Sequence, residues 1–164
     1  MTRPRLAAVV IAVVLGAAGC SSGDAVVVEG LTVEQAKSMT MAADREIVAA
    51  LDPGSVGEVL QRGSGSLLSC SRGSHRWAGG TDFFIADGAD MEEVLESVGS
   101  TYAQRDDFSV EWDEDRYHDA RLRLEGRDGL TFLLSQWPQE GFIGVLSFSP
   151  CFELPEGTYP GGVW

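Results

Sequence analysis

The chain has 164 residues, a mass of 17.5 kDa and a formal net charge of -13, from 12 Lys+Arg against 25 Asp+Glu. Arg3 and Arg5 are the only charges before Cys20, so the chain from Cys20 onward carries 10 basic and 25 acidic residues, a net -15. That balance argues against a nucleic-acid binder, which needs a basic face for phosphate, and against adhesion to anionic lipid by charge alone, while 44% hydrophobic and 9% aromatic residues exclude an acidic disordered chain.

Met1 to Arg5 form a short basic region, and Leu6 to Ala18 an apolar run without a polar side chain. Thirteen helical residues reach roughly 20 Å, short of a hydrocarbon slab about 30 Å thick. A signal peptide over 1–19 fits better than a permanent membrane span. Its end, Leu15-Gly16-Ala17-Ala18-Gly19-Cys20, is followed by Ser21-Ser22-Gly23-Asp24 and resembles the bacterial lipoprotein signal, with Ala17 where such signals often have leucine. Small side chains let a peptidase close on the backbone, and the thiol of Cys20 is the group a diacylglycerol can alkylate. Two or three acyl chains, at about 0.8 kcal/mol per buried CH2, hold a protein stably on a membrane. The alternative is an ordinary secretory peptide with a coincidental cysteine. The expected organisation is a signal peptide at 1–19, a lipidated tether at 20–30 and one domain over 31–164. The expected location is the extracytoplasmic face of the membrane.

In the domain, Thr32 and Gln35 form a capping box. Apolar positions recurring at three and four from Val33 to Leu51 predict an amphipathic helix that Asp52-Pro53-Gly54 stops. Residues 54–65 leave strand and broken helix open. Leu67 to Cys70 predicts a short strand, and His75 to Ile85 a second one with a bulge or sharp bend at Gly79-Gly80. Asp90 and Glu93 box the start of a second helix with a stripe at Met91, Val94, Leu95, Val98 and Tyr102.

Four strand-like runs follow, at 108–112, 117–124, 130–137 and 142–148. Hairpin-length connections at 125–129 and 138–141 make the last three sequential neighbours. The fold class is α+β: an antiparallel sheet of four to six strands, its C-terminal strands a meander, packed against two helices. Residues 152–164 predict no regular element; Phe152, Tyr159 and Trp164 are positioned to pack on the surface.

Lipidation of Cys20 leaves Cys70 and Cys151, an even pair in a compartment where disulfides persist. The alternative of a reactive thiol lacks an activating base beyond His75 and His118, and the cysteines and histidines lack the paired spacing of a zinc site. Asp113-Glu114-Asp115 lacks the ligand alternation of a calcium loop and reads as a solvated hairpin turn, with weak cation binding and, after it, catalysis as the alternatives. No cofactor, metal site or catalytic constellation is therefore expected.

Trp77, Trp112 and Trp137 fit core packing or a ligand groove. The first place to look for a pocket is over Gly79 and Gly80 beside Trp77.

The lipobox, the helix ending in Leu51-Asp52-Pro53, the segment Leu67-Leu68-Ser69-Cys70-Ser71, the strand containing Trp77-x-Gly79-Gly80, and Ser149-Pro150-Cys151-Phe152 together resemble small lipoproteins of actinobacteria, mycobacterial ones among them. Their functions are mostly unassigned, and the resemblance brings no active site. The leading expectation is a lipid-anchored binding or accessory lipoprotein with a protein partner or a small apolar ligand. The alternatives are an inhibitor or immunity-type protein that blocks a basic partner and, third, an enzyme of hydrolase type.

Overall fold

The computed structural model describes residues 25–164. The expected signal peptide, Cys20 and the first residues of the expected tether lie outside the described residues. Helix α1 spans Val33–Ala49 and starts on the expected box: the Thr32 hydroxyl accepts from the Gln35 N–H at 3.2 Å, and the Gln35 carbonyl accepts from the Thr32 N–H at 3.0 Å. The pair satisfies two of the donors a helix start leaves orphaned. Helix α2 spans Met91–Tyr102, capped by the Asp90 carboxylate, which accepts from the Glu92 and Glu93 N–H groups at 2.9 and 3.1 Å; the return bond from the Glu93 side chain that would complete the expected box is not formed.

The strands are β1 (Val56–Gln61), β2 (Ser66–Ser69), β3 (His75–Ile85), β4 (Phe108–Glu114), β5 (Ala120–Gly126), β6 (Thr131–Trp137) and β7 (Phe142–Phe148). They form one seven-stranded antiparallel sheet in the order β1-β3-β7-β6-β5-β4, with β2 paired to the remaining length of β3. The C-terminal strands are the expected meander, and the long strand β3 closes on β7. Residues 54–65, left open by the sequence, supply edge strand β1. Among the described residues no helix is long and apolar enough to cross a membrane.

The expected bulge at Gly79-Gly80 is absent. Both glycines lie in regular register, opposite Ser147 and Leu146 of β7. They are small because of their neighbours: a Cβ on Gly79 would sit 2.0 Å from the Trp77 ring, and one on Gly80 would sit 2.6 Å from the Val145 carbonyl oxygen. Strand β5 also starts later than expected. The Asp115 carboxylate accepts from the Tyr117 and Asp119 N–H groups at 2.7 and 3.1 Å, and His118 is left-handed at φ 69°, so 115–119 is the turn.

Both helices pack on one face of the sheet. Phe83, Leu122, Leu124, Phe132, Leu134, Ile143 and Val145 meet Ile47 and Leu51 from the first helix segment and Val94, Leu95, Val98 and Tyr102 from the second. A smaller cluster joins Ala36, Trp77 and Phe152.

Residues 26–28 and the tail from 152 are tied to the domain more closely than the sequence suggests. Within the expected tether, Val28 donates to the Cys151 carbonyl at 2.8 Å and Cys151 to the Val26 carbonyl at 2.9 Å, a parallel bridge that docks 26–28 on the domain. In the tail, Phe152 is buried and exchanges two backbone bonds with His75, while Trp164 exchanges two with Gly65. Tyr159 does not pack as expected; it is 78% exposed.

Candidate functional site

The helices occupy one face of the sheet, so the alternation of each strand decides what the other face displays. Strand β6 turns Phe132 and Leu134 to the core and Leu133, Ser135 and Trp137 away from it; β7 does the same with Ile143 and Val145 against Phe142, Gly144, Leu146 and Phe148. The open face is therefore apolar in its middle strands. Register places Phe84, Phe142 and Trp137 side by side across β3, β7 and β6. Their rings form a row, with centroids 5.5 Å apart for Phe84–Phe142 and 6.0 Å for Phe142–Trp137, the latter pair stacked at 16°. A Cβ on Gly144 would lie 3.1 Å from the Trp137 Nε1, so the missing side chain lets the indole lean over β7.

Leu133, Ser135, Trp137, Phe142, Gly144 and Leu146 line a groove of about 620 Å³ on this face. Its charged walls are Arg62 with Asp82, Arg121, Glu140, and Asp115 and Arg116 of the β4–β5 turn. Arg62 and Asp82 pair at 2.7 Å. Arg121 holds Asp113 through two bonds of 2.8 and 2.7 Å, which keep that carboxyl below its usual range and the guanidinium above its own. A notch of about 200 Å³ adjoins the groove, lined by Tyr117, Trp137, Asp115, Asp119 and Glu140 among others.

The three candidate tryptophans occupy three different places. Trp77 is fully buried with Ala36 and Phe152. The room that Gly79 leaves is filled by the indole itself, whose other side meets Gly65, where a Cβ would lie 2.6 Å from the ring. Trp77, Gly79 and Gly80 are thus packing residues, and the pocket expected over them is closed. Trp112 is half exposed at the end of edge strand β4, over Gly99 of α2 in a shallow hollow on the helix side. Trp137 alone reaches the groove.

Cys70 and Cys151 form a disulfide, with Cα atoms 6.4 Å apart. Cys20, the expected lipidation site, lies outside the described residues.

Sequence reasoning missed the groove's floor. The available signal was β7 itself: Phe142-Ile143-Gly144-Val145-Leu146 is apolar at consecutive positions, the pattern of a strand with neither face fully wet. On β5, half-buried Arg121 and Arg123 alternate with buried Leu122 and Leu124, so the sheet's flank is charged where its middle is apolar.

Asp44 is the other missed residue, buried where α1 crosses β3 and β7. The Thr81 hydroxyl donates to it at 3.0 Å and the Ser147 hydroxyl donates to its second oxygen. Burial pushes its pKa up, against the lowering effect of these bonds. Neither His75 nor His118 contacts it; His118 is exposed, 3.2 Å from Glu114. Sealed beneath the helix, Asp44 joins α1 to the sheet and has no path to a substrate. Among the described residues, no group of three His, Cys, Asp or Glu side chains is placed to hold a metal ion.

No protein-family model and no curated protein matches the chain. One solved structure that it is similar to is a DUF4853 family protein from Actinomyces odontolyticus, 21% identical, with 79% of this chain and 69% of that one covered at a TM-score of 0.47.

Proposed function

We propose that the protein is a lipid-anchored binding protein of the extracytoplasmic membrane face, held through Cys20 and presenting the open face of its sheet to a ligand with an apolar part. The observation that carries the reading is the groove of about 620 Å³ floored by Leu133, Phe142 and Leu146 on a face that neither helix covers. Its volume lies in the roughly 300–1,000 Å³ range of small-molecule sites, and a mostly apolar floor with a few polar groups is their usual composition.

The anchor rests on the sequence Leu15 to Asp24. From Cys20 to Ala25 the chain spans at most roughly 18 Å. Since 26–28 dock beside Cys151, an acylated Cys20 would hold the domain close to the bilayer. Cys20→Ser should shift the protein from the membrane fraction to the medium, and intact mass of the wild type should show the acyl chains. Nile red, an uncharged apolar dye, tests the groove: its fluorescence should rise on the wild-type domain and not on Leu133→Glu/Leu146→Glu. An equal rise on both proteins would place the dye elsewhere and defeat the reading.

A protein that blocks a basic partner is the second reading. Exposed Tyr117 and Trp137 beside Asp115, Asp119 and Glu140 favour it.

A further inference from the structure

The groove's floor is apolar, but its rim carries an uneven charge that points to the occupant. Arg62 is neutralised by Asp82, and Arg121 by Asp113. That leaves Arg116 against Asp115, Asp119 and Glu140 around the groove and its notch. The guanidinium of Arg116 lies 4.7 Å over the Tyr117 ring, and one Asp115 oxygen accepts the turn's two N–H groups. Among the described residues, Asp119 and Glu140 have no cationic partner within ion-pair distance. The half-exposed indole of Trp137, stacked on Phe142, lines the same notch as both carboxylates.

Together these features supply what a cation recognises. An aromatic face attracts a cation within about 6 Å, by about 0.5–1 kcal/mol where exposed and more once desolvated. Two uncompensated carboxylates add Coulomb attraction beside it. The net charge of -15 beyond the signal segment raises the local concentration of cations before any contact forms. An anionic head would meet the same carboxylates as repulsion, and a neutral one would leave them unused.

We infer that the groove and notch take a small cationic amphiphile: a chain or ring system seated on Leu133, Phe142 and Leu146, with an ammonium or guanidinium head in the notch that Trp137, Asp119 and Glu140 line. The inference rests on the open face being a binding surface and adds the chemistry of its ligand. The groove's finite volume favours one small molecule over a folded partner.

The test uses three probes with the same ten-carbon chain: decyltrimethylammonium, decyl sulfate and the uncharged decyl glucoside. Each is titrated calorimetrically into the domain below its micelle concentration, at about 0.15 M salt so that distant charges are screened. The ammonium probe should bind at least about tenfold more tightly than the other two, a difference of about 1.4 kcal/mol. Asp119→Asn/Glu140→Gln should reduce it to the affinity of the glucoside and leave the glucoside unchanged. Glu92→Gln/Glu93→Gln, the same charge change on α2 and the helix side, should leave both unchanged.

Equal affinity for all three probes would overturn the cationic head while leaving the groove in place. So would an equal loss in the two double variants, which would make the preference one of overall charge. Tighter binding of decyl sulfate would assign the rim to Arg62, Arg116 and Arg121 and overturn the inference. Failure of every probe to bind would overturn the binding face itself.

Discussion

Among the described residues, Asp44 is the one buried charged side chain. It is 1% exposed, with two hydroxyl donors and no guanidinium or ammonium bonded to it. Its folded pKa stands above the ordinary 3.8, chiefly through desolvation. The folded state therefore holds the proton more tightly than the unfolded chain. The resulting stability is fully present below the unfolded pKa and is lost as pH rises through the raised folded value.

The carboxylates of Asp107 and Asp113, lowered by Arg105 and Arg121, act in the opposite direction and gain stability as pH rises. Comparing wild type with Asp44→Asn cancels their contribution. The amide can accept from one hydroxyl and donate to the other without a buried charge. The variant should gain about 1 kcal/mol at neutral pH, and its advantage should shrink as the solution is acidified. Urea unfolding of both proteins from pH 4 to 8 measures it; a difference independent of pH would contradict the assignment. The position was readable in part, since 36, 40, 44 and 47 form one stripe of α1. What the sequence lacked was the opposite side of the contact, where Thr81 and Ser147 come from strands 66 residues apart.

At the scale of elements, strong local signals correspond to elements that are half buried. Helix α2 was legible because its stripe, its Asp90 cap and its acidic first turn agree. The meander was legible because short loops with glycine force local pairing. Strand β1 was not, because it lies at the sheet's edge with most positions exposed, so the period-2 contrast that marks a strand is weak there. The bulge expected in β3 failed for a tertiary reason: Gly79 accommodates the ring of Trp77, a contact the glycine pair alone does not reveal.

The disulfide acts at this scale too. Cys151 is bonded to Cys70 and is also the residue on which 26–28 and the root of the tail converge. Its two cysteines are 81 residues apart, for which loop entropy gives an upper-side estimate of about 4.5 kcal/mol. Compaction of the unfolded chain reduces that figure. Cys70→Ala/Cys151→Ala should lower the melting temperature while keeping the sheet's circular dichroism. Limited proteolysis should then cut first in 152–164 and in 25–30, which lose their common anchor. A variant that resists protease at both ends would show that the backbone bonds to His75, Cys151 and Trp164 suffice.

For the molecule as a whole, the decisive property is that the sheet has one helix-covered face and one open face, with apolar side chains on both. Ordinary folding accounts for the first set alone. The consequence is measurable within single strands, because neighbouring residues point to opposite faces. On β6, Leu134 is fully buried under the helices while Leu133 faces the groove; on β7, Val145 is 2% exposed and Leu146 54%. Leu134→Ala should cost about 2–5 kcal/mol through lost transfer energy and a cavity. Leu146→Ala should change stability by less than about 0.5 kcal/mol, as surface substitutions do. Dye or amphiphile binding should rank them in reverse: Leu146→Ala weakens it, whereas Leu134→Ala, where still folded, leaves the groove's floor in place. Equilibrium unfolding and ligand titration on the same two proteins read both quantities. A large stability loss from Leu146→Ala would mean that the open face is covered in the folded protein, and the groove could not then receive a ligand as drawn.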